Sequence, residues 1–347
     1  MRPVQAPLAP LPERTLSTLM LRFAAGDPLT CQPLSQGLLN RGYRLTTTRG
    51  RFFLKQHLDD PQAVTPVVRR HRATAALAGL GLPVTPPVAA PDGRTVTFVG
   101  GRCYALHPWV EGHHRSGREL GLSQCRRLGT LLGEVHRGLE RVIPLPSGDR
   151  DAARCSASPE DTRALIDRLL ARVRARRRRD GFDELAEHRL TERHRILREY
   201  AHLRPRHGEV PSAGWVHGDF HPLNLLYRDG GPVDPVAIID WDRLAVQPRA
   251  EEAVRAAAIF FLRPDGGLEL EKVRAYSRAY RESARAPESE LAAAVHRVWW
   301  ERLNDFWMLR WRYELRDGRP DPQFPAASAL VVWWTRHSAA VRDAFCD

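Results

Sequence analysis

The spacing of apolar residues in this 347-residue chain changes once, near residue 110, and that change limits the folds open to it. Before it the residues alternate as strands do; after it they recur every three to four positions as helices do. Upstream, residues 42–48 and 51–55 are extended runs joined by Arg49-Gly50, a hairpin signal. Residues 67–80 have helical spacing and stop at Gly79, Gly81 and Pro83. A second hairpin, 94–99 with 102–106, turns at Gly100-Gly101, and the stretch from His107 to Gly112 reads as a hinge. Downstream, Leu128, Leu131, Leu132, Val135 and Leu139 mark a helix over 120–141. Residues 144–160 read as a surface loop and 160–204 as charged helix. Trp215-Val216 and 236–239 read as short apolar strands, and the chain is helical again from Glu251. The pattern predicts an α+β fold with two lobes: a small β-rich part, residues 1–110, and a larger, mostly helical part, residues 111–347.

Composition narrows the function classes. At 43% hydrophobic and 27% charged, the chain reads as an ordinary soluble globular protein. Pro3, Pro7, Pro10 and Pro12 interrupt every apolar run at the start, which argues against a signal peptide. The run 256–262 is fenced by Arg255 and Arg263, too short to cross a bilayer. The five cysteines are scattered without CxxC spacing, which fits free thiols in a cytoplasmic setting and no zinc or disulfide frame. Neither a GxxxxGK[ST] loop, a GxGxxG turn nor a GxSxG elbow is present. The net charge of +12 suggests affinity for phosphates. The arginine run 172–179 reads as a solvated helix face, so neither nucleic acid nor membrane is an expected partner; the chain is expected as a monomer or homodimer. Of 53 basic side chains only Lys55 and Lys272 are lysines. A lysine kept in such a chain is a candidate for a task that arginine does poorly.

The chemistry concentrates in residues 214–242. His217-Gly218-Asp219 follows a short strand, Asn224 comes five residues after Asp219, and Asp240 ends the next strand within Ile239-Asp240-Trp241-Asp242. Phosphoryl transfer needs a carboxylate to orient a hydroxyl, and oxygen ligands for a Mg²⁺ that bridges nucleotide phosphates. Asp219, Asn224 and Asp240 supply both.

This arrangement resembles the catalytic signature of the aminoglycoside phosphotransferase and choline kinase superfamily, itself similar to protein kinases. The resemblance implies a protein-kinase-like fold and a phosphotransferase acting on an alcohol group, with ATP and Mg²⁺ as cofactors. It implies Asp219 as catalytic base, His217 as support of the loop, and Asn224 and Asp240 as metal ligands. Residues 34–44 resemble the loop that covers the nucleotide, which brings in Gln36, Gly37 and Asn40. Lys55, at the end of an apolar strand, stands where kinases contact the α- and β-phosphates. Residues 104–112 resemble the strand-to-hinge passage, with Leu106 or Trp109 lining the base pocket. Glu252 falls where the family has an acidic residue holding a helix N-terminus. The chain departs from the pattern in one respect: the helix after Lys55 offers Arg70, His71 and Arg72 where kinases place a glutamate, and Asp59 or Asp60 is the nearest substitute. The reading is an ATP- and Mg²⁺-dependent small-molecule kinase; the alternative, motivated by that missing glutamate, is a catalytically silent kinase-like nucleotide-binding protein. A small-molecule hydroxyl is the expected acceptor. Glu301, Asp305 and Glu314 could form an acidic wall for an aminoglycoside, and Trp299, Trp300, Phe306, Trp307 and Trp311 an aromatic cage for a choline-like cation. A sugar or amino acid fits equally.

Overall fold

The computed structural model describes residues 10–34, 40–58, 64–146, 156–206, 212–229 and 234–347. They fall into two compact units. Unit 1 comprises Met1–His114 together with Asn224–Arg243; unit 2 comprises Arg115–Leu223 and Leu244–Asp347.

Unit 1 is built on an antiparallel sheet of five strands, β1 (Pro28–Leu34), β2 (Arg41–Thr47), β3 (Gly50–His57), β4 (Thr97–Val99) and β5 (Arg102–Pro108), in the order β1-β2-β3-β5-β4. Alternation along the strands gives the sheet two apolar faces. Tyr43, Leu45, Leu54, Tyr104 and Leu106 pack on one side against Leu16, Leu19, Met20 and Phe23 of helix α1 (Glu13–Phe23). On the other side Val67 of helix α2 (Val64–Gly79) packs with Val96, Cys103 and Ala105. Helix α1 was not expected, because the flanking prolines dominate that part of the sequence. Its four buried residues nevertheless follow helical spacing, and Ala24 ends it in the left-handed conformation at φ 49°. A two-stranded ladder of β7 (Leu225–Leu226) and β8 (Ala237–Ile238) completes the unit and bridges back to Val84.

Unit 2 is mostly helical. Helix α3 (Leu122–Val142) lies against α7 (Leu270–Ala284), and glycines make the close approach possible: a Cβ on Gly129 would stand 2.1 Å from the Tyr276 carbonyl oxygen. The expected single helical stretch 160–204 is two helices, α4 (Pro159–Arg174) and α5 (Gly181–Tyr200). The chain breaks because Asp180 turns from the helix and caps α5, its side chain accepting from the Asp183 amide at 3.0 Å. The arginine run therefore crosses a connection, and three of its members are closely paired: Arg174 with Glu187 at 2.7 Å, Arg176 with Asp183 at 3.2 Å and Arg179 with Glu187 at 2.5 Å. Strands β6 (Ala213–Val216) and β9 (Ala245–Pro248) pair, and β9 leads into α6 (Arg249–Phe260). The remaining helices are α8 (Glu288–Asn304), the short α9 (Trp307–Arg310), α10 (Phe324–Arg336) and α11 (Ser338–Cys346). Trp299, Trp300 and Phe306 are core residues, and the indole N–H groups of the first two are spent on Thr335 and Ala157. Among the described residues no helix is long and apolar enough to cross a membrane, and Cys31, Cys103, Cys125 and Cys346 are free thiols.

The glycine contact gives a direct check. Gly129→Ala drives a methyl group into the α7 backbone, which cannot move aside as a side chain tip does. It should lower unfolding free energy by about 1–3 kcal/mol, read from urea denaturation followed by circular dichroism.

Candidate functional site

In unit 1 the site begins with the strand rule. Leu54 turns into the α1 core, so its neighbours Phe53 and Lys55 take the opposite face. A buried ammonium needs anions, and two are in place. Lys55 Nζ lies 2.9 Å from Asp240 Oδ1 and 2.6 Å from Asp242 Oδ2. Burial opposes the Lys55 charge, but Asp242 and then Asp240 outweigh it and hold its pKa above the ordinary lysine value. The Asp242 carboxyl is disfavoured by burial yet pulled down to about 2, chiefly by Lys55.

The backbone of the 224–243 segment sets these carboxylates. β7 and β8 pair Leu225 with Ile238, and the Ile239 amide donates to the Asn224 carbonyl at 2.9 Å, so Asn224 and Asp240 leave one ladder side by side. Asp240 then adopts φ 59°, a left-handed conformation that aspartate tolerates better than most residues. Trp241 anchors the turn, its indole donating to the Ile238 carbonyl at 3.1 Å. Asn40 joins the same group: its amide nitrogen bonds Asp242, and its oxygen accepts from the Leu58 amide at 3.1 Å.

The counter-charge of Lys55 thus comes from Asp240 and Asp242; Asp59 and Asp60 lie outside the described residues, as do Gln36 and Gly37. The α2 position expected to carry a glutamate carries Arg70, which donates to the Asp242 carbonyl and stands 3.9 Å from its carboxylate. The partnership is turned around, with helix cation on loop anion. Leu106 is not brought to the Lys55 face; it is fully buried in the α1 core. Trp109 is half-buried at the end of β5, its amide on the Arg51 carbonyl at 3.0 Å and the Arg44 guanidinium 4.9 Å over its ring.

Three imidazoles fill the space around these cations. His71 lies 5.7 Å from His107 and 6.5 Å from His57 between ring centroids. Burial, then the neighbouring imidazoles and cations, lowers the His71 pKa to about 3. Burial and Lys55 lower that of His107 to about 4. His71 and His107 are neutral filler beside a lysine and an arginine.

In unit 2, β6 delivers His217 and a sharp turn at Gly218, φ 85°, a conformation glycine adopts without strain. The fully buried Glu252 of α6 receives the loop: its carboxylate accepts from the His217 amide at 3.1 Å and from the Gly218 amide, and lies 2.8 Å from His136 Nε2. His136 Nδ1 is 3.0 Å from the Tyr280 hydroxyl. Burial pushes the Glu252 carboxyl up, but the His136 bond and nearby positive charge leave it below the usual value. Glu252 was expected to serve its own helix; instead it holds the backbone of the 217–219 turn. The fully buried His217 ring accepts from the Asp219 amide at 3.2 Å, leaving the Asp219 side chain about a third exposed and 3.6 Å from His221 Nε2.

Asp242, Arg70, His136 and Tyr280 carried no assigned role in the sequence reading. Asp242 had a signal, being the second acid of the same short motif; the other three are helix residues of common types. The suggested acidic wall does not form as free charge: Glu301 bonds Arg255 at 2.9 Å, Glu314 bonds Arg310 at 2.9 Å, and the Asp305 carboxylate accepts from the Trp307 amide at 3.1 Å.

Comparison with known proteins fits this arrangement. A spectinomycin phosphotransferase solved with ADP and spectinomycin superposes with a TM-score of 0.61 at 15% identity, over 94% of each chain. The fold is that of the protein-kinase-like phosphotransferases. Residues 30–287 match the phosphotransferase enzyme family, and the chain belongs to it. Homoserine kinase of Neisseria meningitidis serogroup B is 27% identical in an alignment 325 positions long, gaps included, that covers 82% of this chain and 86% of the relative. Homoserine kinase of Afipia carboxidovorans is 25% identical over 213 residues, covering 61% of this chain and 58% of the relative, less than two thirds of its length.

The buried imidazoles set an acid limit. His71 and His107 bind protons more weakly folded than unfolded, so their contribution is complete above the unfolded value near 6.5 and is lost as pH falls toward 4 and 3. Stability should drop by about 5 kcal/mol between pH 7 and 4.5, roughly half from each imidazole, with His71→Gln flattening the profile of melting temperature against pH.

Proposed function

We propose that this chain is an ATP- and Mg²⁺-dependent kinase that phosphorylates the hydroxyl of a small metabolite. The observation that carries the reading is Lys55, buried on a strand and held within hydrogen-bond distance of two carboxylates. A lysine so placed is suited to the α- and β-phosphates of a nucleotide. The donor set also suits the metal. Among the described residues no group of three or more His, Cys, Asp or Glu forms a ready cage. Mg²⁺ prefers one or two carboxylates completed by water and phosphate, and Asp240 with Asn224 provides that. The Lys55 ammonium beside Asp240 and Asp242 supports the reading that positive charge is stable there. When bound, the ion would neutralise phosphate charge during transfer.

Each remaining residue then has a task. Asp219 accepts the proton of the acceptor hydroxyl, and its partly exposed carboxylate supports that role. His217 and Glu252 fix the backbone from which Asp219 projects. Asn40, with the preceding segment that includes Gln36 and Gly37, would cover the phosphates, and Trp109 would wall the base. Asp242 remains as the counter-ion of Lys55 once Asp240 is engaged elsewhere, and Arg70 keeps Asp242 in place. The silent-binder alternative rested on the missing helix glutamate; with two carboxylates on Lys55 that motivation is gone. The names of the matched relatives make homoserine the first acceptor to try, ahead of aminoglycosides and choline-like amines.

Two measurements test this. In an ADP-release assay with homoserine, amino alcohols and aminoglycosides, Asp219→Ala should lose about 10²–10⁴ in kcat while still binding ATP. Parental turnover by that variant would refute the assignment. Separately, Asp242→Asn should weaken ATP binding by about 10- to 100-fold through loss of a charged hydrogen bond. Adding Arg70→Glu to it should recover part of that loss by restoring an anion on α2; further weakening would sink the proposed role of the pair.

A further inference from the structure

The turn that carries Asp219 continues into His221, to which the proposed roles give no task. Phe220 lies between the two and is buried, its ring 6.2 Å from that of His217 and 6.2 Å from that of Phe260 between centroids. With Phe220 anchored inward, the side chains on either side of it stay partly exposed and meet. His221 Nε2 stands 3.6 Å from Asp219 Oδ2. The other ring nitrogen fixes the tautomer. A short turn starts at Pro222, which has no N–H, so the Leu223 amide is its first donor. That amide donates to His221 Nδ1 at 3.2 Å. A backbone amide can only donate, so Nδ1 is the accepting nitrogen. In the neutral ring the proton is then on Nε2, the nitrogen turned toward Asp219. A separation of 3.6 Å is longer than a hydrogen bond, and contacts in resting active sites are often of this length and close when substrate binds.

Resting on the reading of Asp219 as the base, we propose that His221 is a positioning residue whose Nε2–H sets the rotation of the Asp219 carboxylate. The torsion that turns an aspartate carboxylate is broad, so a donor held by the backbone on one side of it selects one plane. A carboxylate kept in one plane meets the acceptor hydroxyl in line with a lone pair; a freely turning one does so only part of the time. His221 does not itself take the proton: Nε2 already carries one, and Nδ1 is engaged by the Leu223 amide. The imidazole suits this place because its two nitrogens, fixed in one ring, act in opposite senses, accepting from the turn and donating toward the acid. Asparagine could do the first and glutamine the second, and neither does both.

The test pairs a measurement on the resting protein with one on turnover, both on the full chain. Two-bond ¹H–¹⁵N correlation spectra, with the His221 signals assigned by their loss in His221→Asn, should show the Nε2–H tautomer. Asp219→Ala should shift the Nε2 resonance. In the ADP-release assay, His221→Asn keeps an acceptor for the Leu223 amide but loses the reach to Asp219. It should lower kcat about tenfold and leave KM for ATP within about twofold of the parent. His221→Gln, whose terminal amide extends further, should recover part of that loss. An Nδ1–H tautomer, an Nε2 resonance indifferent to Asp219→Ala, or parental kcat in His221→Asn would overturn the proposal and leave His221 a turn former. Equal losses in both variants together with a raised KM for ATP would overturn it as well, as a general distortion of the loop. Failure of the kinase reading looks different: parental turnover by Asp219→Ala, or no ADP release by the parent with any acceptor, removes the base and the positioning role with it, whatever the spectra show.

Discussion

The buried ammonium of Lys55 is the interaction on which unit 1 is organised. An isolated charge inside a protein is costly by several kcal/mol, so the fold has to bring an anion to it. Here the anions arrive from far along the chain, at Asp240 and Asp242, and the segment that bears them belongs to the unit of the N-terminal sheet rather than to that of the helices flanking it in sequence. The β7–β8 ladder, the Trp241 anchor and the left-handed Asp240 all serve to aim that pair. Arg70 fits the same logic. With the anions on the loop, a glutamate on α2 would add a third negative charge where two already face one ammonium, whereas an arginine steadies Asp242 and balances the pair.

Unit 2 solves the complementary problem with an acid. Glu252 is buried and accepts from two successive backbone amides, with His136 completing its partners. Amides in a tight turn cannot use the regular ladder, and a fixed carboxylate satisfies both at once. Its longer side chain reaches His136 as well as the turn, and Tyr280 closes the chain of contacts from α7. The turn before Asp219 is therefore held by interior groups on three helices, which leaves the Asp219 carboxylate as its reachable part.

How much of this could be read beforehand depended on whether the signal was local. The hairpin around Arg49-Gly50, helices α2 and α3 and the strands flanking the 217–240 region follow from spacing and turn residues, and they formed within a few residues of the expected positions. Helix α1 was hidden because proline punctuation masked a four-residue apolar stripe. Leu106 was misplaced by one step of alternation: its neighbours Ala105 and His107 share the Lys55 side, and Leu106 does not. The partners of Lys55 and the task of Glu252 are long-range pairings between elements, and a sequence records their chemistry without recording which groups meet.

The scarcity of lysine makes a last comparison possible. In a chain with 51 arginines, Lys272 is the only other lysine, and it too sits where a compact ammonium differs from a planar fork. Its Nζ donates to the Gly117 carbonyl at 3.0 Å and the Arg118 carbonyl at 3.2 Å, and pairs with Glu269 at 2.9 Å. These three acceptors surround one point, as do the two carboxylates around Lys55. A guanidinium spreads its donors over a plane several ångströms wide and would have to push such acceptors apart. Where the arginines of this protein bind well, they bind flat or forked, as Arg312 does over the Phe182 ring and Arg193 over Phe306. The choice between the two cations follows the shape of the acceptor set, and that is why the rare residue stands on β3 beside its two carboxylates.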